Sequence, residues 1–318
     1  MTIRISRPSR SSIAKAPGAS ALLVLLVLVA SLFVAGGTAT ASPTPVGLGT
    51  ATAYAIRAGN GISDVPTSTI TGDVGLSPGA GSLYTGLTCA EVTGTIYAVD
   101  STGDPCFTSN AGLMTTVEND ARTAFNHTSA LSGATPIGVD LAGQNLVAGL
   151  YSFGGAPTNL SGTLTLDAQS DPSAVWIFQA SSSLITSPSS TVAFTNLPPG
   201  VTAAQLACNV YWTVGSSATI DTGTTFIGTI LASASITANT GATVTGRLLA
   251  GNAAGAGGAV TLDTNTIIRP TGCATVPAGT GGTPSTPVTP GTPGTPGTPG
   301  TAIPGAPPAV EIPPRLTA

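Results

Sequence analysis

Residues 217–232 read SATIDTGTTFIGTILA and residues 234–250 read ASITANTGATVTGRLLA, and the two superpose at a shift of eighteen positions. Ile220 falls on Ala238, Thr222-Gly223 on Thr240-Gly241, Phe226 on Val244, Gly228 on Gly246 and Ala232 on Ala250. A third copy, AVTLDTNTII at 259–268, follows a Gly/Ala-rich excursion from Gly251 to Gly258 and puts Val260, Leu262 and Thr264 on Ile236, Ala238 and Thr240. A unit this short cannot bury its own apolar side, so its repetition reads as successive turns of a solenoid. Each unit holds three alternating segments divided by Gly or small polar residues, which is the pattern of strands. The turn is therefore three-sided.

In the first segment of each turn Ala218 and Ile220, Ile236 and Ala238, and Val260 and Leu262 point inward. Strand alternation then sends Ser217, Thr219 and Asp221, Ser235, Thr237 and Asn239, and Ala259, Thr261 and Asp263 outward. Stacking repeats these three columns at about 4.7–4.9 Å along the axis. The segments LSGTLTLDAQ and SSSLITSPSS are expected to add Thr163, Thr165 and Asp167, and Ser183 and Ile185, to the same pattern. Ala174–Phe178, Val210–Trp212, Ile230-Leu231 and Leu248-Leu249 are apolar at consecutive positions, so the third segments read as strands buried on both sides. A helix over about 109–127 is expected to cover them, with Leu113, Val117, Ala121, Ala124 and Phe125 inward, Glu118 and Asp120 opposite, and Ser109 as cap. This leaves the first and second faces open, and only the first is free of bulky outward residues: the second carries Ile227, and the covered third carries Arg247.

Toward the N-terminus, Thr69-Ile70-Thr71-Gly72 repeats the form of Thr243-Val244-Thr245-Gly246, so this segment is expected to form a turn of the same solenoid, and chain order need not agree with stacking order. Residues 83–107 show no repeat and are read as a cap over an open end, where unpaired strand edges need cover.

The ends of the chain differ from the middle. Arg4, Arg7, Arg10 and Lys15 precede an apolar run from Ala21 to Ala35, and Ala39-Thr40-Ala41 offers a cleavage site, so residues 1–41 read as a secretory signal peptide. Removing them takes four of nine basic residues and none of thirteen acidic ones, leaving 5 − 13 = −8. No basic patch for nucleic acid can be assembled from five scattered arginines. Residues 276–318, with TPGTPGTPGTPG, read as an extended, disordered tail: a spacer, a cell-wall-spanning stalk, or no more than a disordered end. The folded domain is placed at 42–275. Its four cysteines suit an exported protein, and Cys89 with Cys106 and Cys208 with Cys273 is the preferred pairing of the three available.

Chemistry-bearing constellations are weak. His127 stands alone, no G-x-S-x-G elbow is present, and the cysteine spacing fits no zinc motif. Asp221, Asp263 and Asp167 could line a groove in the manner of a polysaccharide-cleaving β-helix, but no base or aromatic platform accompanies them. No catalytic residue, metal site, cofactor or soluble small-molecule substrate is expected.

VGLGTATAYAIRAGNGISDVPTSTITGDVGLSPG at 46–79, GTLTLDAQSDPSAVWIFQ, ACNVYWTVGSSATIDTGTTFIGTILASASITANTGATVTGRLLA and AVTLDTNTI together resemble the microbial ice-binding protein family known as DUF3494. The resemblance spans 46–269. It implies a mainly β, discontinuous three-faced solenoid with one long helix along a side, secreted, adsorbing to an ice crystal surface through a flat face. Carried over, that face is Ser217, Thr219, Asp221, Ser235, Thr237, Asn239, Ala259, Thr261 and Asp263, extended by Asn60, Ser63, Ser183 and Ile185. A surface adhesin or carbohydrate-binding solenoid is the alternative.

Overall fold

The computed structural model describes residues 43–273 apart from 254 and 256, so the expected leader at 1–41 and tail at 276–318 lie outside the described residues. Within it the eighteen-residue repeat winds in parallel register, with Thr219 opposite Thr237, Ile220 opposite Ala238, Phe226 opposite Val244 and Gly228 opposite Gly246. Face one is a seven-stranded sheet in the order Thr158–Leu160, Leu184–Thr186, Ala218–Ile220, Ile236–Ala238, Ala259–Asp263, Gly61–Val65 and Tyr84–Thr85.

Faces two and three belong to one sixteen-stranded sheet, because strands Thr225–Ala232 and Thr243–Leu249 pass from one face to the next unbroken. Thr225 pairs on face two with Thr191, whereas Thr229 pairs on face three with Tyr211. The bend between them falls at Gly228, whose φ of +117° is a conformation that side chains resist. Gly246 lies against it, and a Cβ there would collide with the Gly228 carbonyl oxygen.

Chain order and stacking order differ. Strand Tyr54–Ala58 sits between Thr243–Leu249 and Asp73–Leu76, with Ile56 opposite Leu248 on one side and Val74 on the other. It thereby completes the rung begun by Ala259–Asp263 and Thr266–Ile268, and Thr69–Thr71 pairs with Thr266–Ile268.

Two expectations about the rungs are corrected. Residues 83–107 are not a mere cap: Tyr84–Thr85, Val92–Thr93 and Ile96–Ala98 pair with faces one, two and three in turn and form a terminal rung. Its register is hidden in sequence because 3-10 turns stand at two of its corners, Gly81–Leu83 before the face-one strand and Cys89–Glu91 where the repeats have Thr-Gly. Thr163–Asp167 pairs with Thr191–Thr195 and lies on face two, so Thr163, Thr165 and Asp167 do not extend face one. Alternation has the same period on every face, so pattern alone cannot assign a strand to one of them.

The solenoid interior is filled by inward side chains and an aromatic file, with Phe178 and Trp212 stacked at 4.0 Å and Trp212 and Phe226 at 5.1 Å. The buried indoles find carbonyls: Trp176 Nε1 donates to Leu146 O at 3.0 Å and Trp212 Nε1 to Ile227 O at 2.9 Å. Outside face three lies helix α1, Ala111–Ala130. Met114, Val117, Ala121 and Ala124 on it pack with Val175, Ile177, Tyr211, Leu231 and Leu249, so the third segments are buried on both sides as their composition requires.

The helix differs from expectation at three points. Asn110 is the cap, its Oδ1 accepting from Leu113 N at 3.0 Å, while Ser109 ends a short strand paired to Ala98. Glu118 is not turned to solvent but bonds Arg122 at 2.6 Å and approaches Arg57 at 3.7 Å. Asp120 accepts from the amide and hydroxyl of Thr50, both at 2.7 Å, and so ties down the 3-10 turn Gly49–Ala53. Arg247 is also buried, its guanidinium donating to Thr52 O at 3.1 and 3.2 Å, so face three presents no outward cation at that position. Both disulfides form in the preferred pairing, Cys89–Cys106 and Cys208–Cys273.

Candidate functional site

Face one gathers most of the residues expected at the site. Its middle column runs Asn159, Ile185, Thr219, Thr237, Thr261, Ser63, Thr85, each in register with the next. Ile185, 40% exposed, interrupts the hydroxyls on one side, and Ser63 Oγ donates to Thr261 Oγ1 at 3.3 Å. Ser183, Ser217 and Ser235 precede their strands and Ala259 begins one. Asn60 lies just outside its strand, exposed.

The flanking columns are occupied with holding the rungs together. Ser217 Oγ accepts from Ser235 N at 3.3 Å, and Ser235 Oγ accepts from Ala259 N at 3.1 Å. At the opposite corner Asp221 accepts from Asn239 Nδ2 at 2.9 Å and Thr222 N at 2.7 Å, and these bonds hold its carboxyl below the usual range. Asp263 accepts from the Thr240 hydroxyl. Face one therefore offers one partly broken column of hydroxyls, two of which bond each other.

Face two offers a longer one. Thr163, Thr191, Thr225, Thr243, Thr266 and Thr69 stand in register on six successive strands. Five rung intervals at the usual sheet spacing make this row about 24 Å long. Its regularity has a local cause: on five of the rungs the preceding residue, Ser190, Thr224, Ala242, Asn265 or Ser68, turns into the corner and is buried, so alternation puts the next side chain outside. Ser190 and Thr224 bond each other at 3.3 Å, and Thr224 bonds Thr186 at 3.0 Å. Among the described residues no hydrogen bond engages any of the six outer hydroxyls, and Thr69, Thr163 and Thr225 are exposed while Thr191, Thr243 and Thr266 are half-buried. The β-branch of threonine restricts each to few rotamers.

Ile227 does not obstruct this face. It stands outward in register with Thr245 but is 8% exposed, because the turn Ala207–Asn209 packs over its strand. The second column of the face is mixed, with Thr165, Thr245, Thr71 and Thr93 beside Asn145, Ala193 and an exposed Ile268. The sequence signal for face two was present in the Thr-Gly-Thr-Thr225 and Thr-Gly-Ala-Thr243 corners. The excursions at 196–209 and 251–258 break its eighteen-residue spacing elsewhere.

The remaining candidates stay apart. His127 is exposed in the last turn of α1. Asp167 lies on face two and accepts from Asn196 Nδ2 at 2.8 Å, so it does not line a groove with Asp221 and Asp263. Among the described residues the one cluster of metal-ligand types is Cys89, Asp104 and Cys106, and its two sulfurs are joined in a disulfide.

A parallel, three-faced solenoid with threonine rows standing in register on its outer faces defines the class of protein by its fold, a β-helix with repetitive surfaces. Residues 56–268 match the family model described as ice-binding-like, and the chain belongs to that family. It is 36% identical over 225 residues to an ice-binding protein of Nostoc sp. (strain HG1), covering 70% of this chain and 73% of that one. To an ice-binding protein of Colwellia sp. it is 36% identical over 252 residues, 78% of this chain and 93% of the relative. Among solved structures it superposes on an ice-binding protein from an Antarctic biological consortium with a TM-score of 0.61 at 35% identity, covering 72% of this chain and 93% of that chain. An ice-binding protein from an Arctic yeast gives a TM-score of 0.62 at 28% identity, covering 74% and 96%.

Proposed function

We propose that this protein is an exported, non-enzymatic ice-binding protein that adsorbs to ice through face two and thereby slows ice growth or recrystallisation. The six-threonine row carries the choice of face. Ice presents no charge or cleft to grip, so a binder needs methyl groups and hydroxyls repeated on a rigid support, where they order water into a lattice-like layer. Broad flat sheets are sustained by side-chain ladders of this kind, and the rung spacing is close to an oxygen repeat of ice. Two disulfides favour export into an oxidising compartment.

A specific observation keeps face one as the second reading: Thr219, Thr237, Thr261, Ser63 and Thr85 also stand in unbroken register. Tyrosine substitutions on each face separate the two. Thr243→Tyr should reduce recrystallisation inhibition by about tenfold or more, equivalent to about 1.4 kcal/mol of adsorption energy, while Thr237→Tyr leaves it within about twofold and circular dichroism stays native in both. The reverse outcome moves the site to face one. Loss in neither, with binding to insoluble glycans instead of partition into growing ice, would reject ice adsorption in favour of an adhesin.

A further inference from the structure

Where the terminal rung docks, two carboxylates converge on Ser68, and among the described residues neither forms an ion pair. Asp64 lies on the inner side of strand Gly61–Val65 and is 7% exposed, and Glu91 closes the 3-10 turn Cys89–Glu91 and is 6% exposed. Glu91 is well supplied with donors: Ser68 N at 2.8 Å on one oxygen, and Thr88 N at 2.7 Å and Thr88 Oγ1 at 2.8 Å on the other. Asp64 accepts from Ser68 Oγ at 2.7 Å on Oδ1, while its Oδ2 is buried with no donor. The remaining neighbour is Asn265, from the corner of the adjacent rung, whose amide donates to Ser68 Oγ at 2.9 Å. Asp64 and Glu91 are thus the titratable groups of the cluster. Both ion pairs among the described residues end elsewhere, on Glu118.

Two buried carboxylates bonded to the same residue, Ser68, do not both ionise cheaply, and the usual resolution is one proton between them. Glu91, with three donors, is the better anion; Asp64, with an empty oxygen, is the better acid. We propose that Asp64 and Glu91 share one proton across the junction between residues 61–76 and residues 84–98, and that this proton latches the terminal rung to the solenoid. The latch concerns the end of the stack and stands whether or not the threonine rows bind ice.

Burial pushes the Asp64 carboxyl up to about 6, with Glu91 adding to the rise and Ser68 opposing it. Burial works against the charge of Glu91 too, but the bonds from Thr88 and Ser68 outweigh it and hold that carboxyl below the usual range. Because the folded chain binds the Asp64 proton more tightly than the unfolded chain does, the stabilisation is fully present below the ordinary aspartate value of about 4 and is lost as pH rises through about 6. Below the latch pH the rung is closed; above it, the rung is loosened by two facing charges.

The test uses the full chain and Asp64→Asn, whose amide donates to Glu91 as the protonated acid does. The melting temperatures of the two should coincide near pH 4 and separate by several degrees by pH 7.5, the variant being the higher. Hydrogen exchange of amides in 84–98, corrected for intrinsic rates, should rise with pH in the wild type alone. A separation independent of pH, or a variant less stable at pH 7.5, overturns the latch. Should the variant not fold, the carboxyl-carbon NMR titration of wild-type Asp64 decides: a midpoint near 6 supports the shared proton, and one near 4 excludes it.

Discussion

Thr191 and Thr225 are the single register pair between strands Thr191–Thr195 and Thr225–Ala232. Past this point the first strand continues along face two while the second bends at Gly228, and the chain between them departs through the short helix Ala203–Leu206 and the turn Ala207–Asn209. The threonine row therefore crosses from its irregular to its regular half through one residue pair. Replacing both by alanine should interrupt the row at its middle and lower recrystallisation inhibition more than alanine at both ends, Thr163 and Thr69. Exposed substitutions of this kind change stability by about 0.5 kcal/mol or less. A melting curve beside the inhibition endpoint distinguishes lost adsorption from lost fold.

The contact between helix and solenoid predicts a different response. Arg57 is 1% exposed; its Nη1 donates to Ala250 O at 2.7 Å, its Nη2 to Ser77 O at 3.0 Å, and burial pushes its guanidinium down to about 10 against the pull of Glu118. Glu118→Gln would leave this buried cation without its counter-charge. Breaking a buried pair from one side costs about 3 kcal/mol or more. Urea denaturation should show that loss, with ice activity per folded molecule unchanged.

Much of this architecture was legible because an eighteen-residue repeat forces Ile220, Ala238 and Leu262 into one interior file. The helix was legible because Val117, Ala121 and Ala124 recur at its period. The face assignment was less so: Thr219 and Thr225 obey the same alternation, and only strand pairing reveals which threonines line up across the 196–209 excursion. Asp221 and Asn239 looked like surface polar groups in sequence, yet their mutual bond at 2.9 Å turns them into a corner staple. Ile227 and Arg247 do point outward as alternation requires, but the sequence did not show that the turn Ala207–Asn209 covers the first and the 3-10 turn Gly49–Ala53 the second.

The bend at Gly228 yields its own prediction. Gly246→Ala places a methyl against the carbonyl of Gly228, a backbone atom that cannot swing aside. Forcing atoms into a packed interior costs about 1–3 kcal/mol, so the variant should melt lower, and faces two and three should lose exchange protection together at this corner. Gly241→Ala, in open space at the Thr-Gly corner, meets no neighbour but sits at φ +70°. Its cost should be about 1–2 kcal/mol and confined to the local backbone conformation.

The two disulfides should differ in reach. Cys208 and Cys273 are 65 residues apart in sequence, whereas Cys89 and Cys106 are separated by 17. If cross-linking acts mainly on the unfolded chain, the long loop stabilises by about 4 kcal/mol and the short one by about 3 kcal/mol. Position adds to the difference: Cys208, 5% exposed, lies within the turn packed beside Ile227, and Cys273 follows the face-two strand Thr266–Ile268, so this bond ties the middle of the stack to the exit of the repeat. Cys89–Cys106 ties only the terminal rung to the loop that follows it. Replacing Cys208 and Cys273 by serine should therefore lower the denaturation midpoint more, and raise hydrogen exchange in both 207–214 and 266–268. The Cys89/Cys106 pair of substitutions should raise exchange within 84–109 and leave the six-threonine row, and its activity, nearly intact.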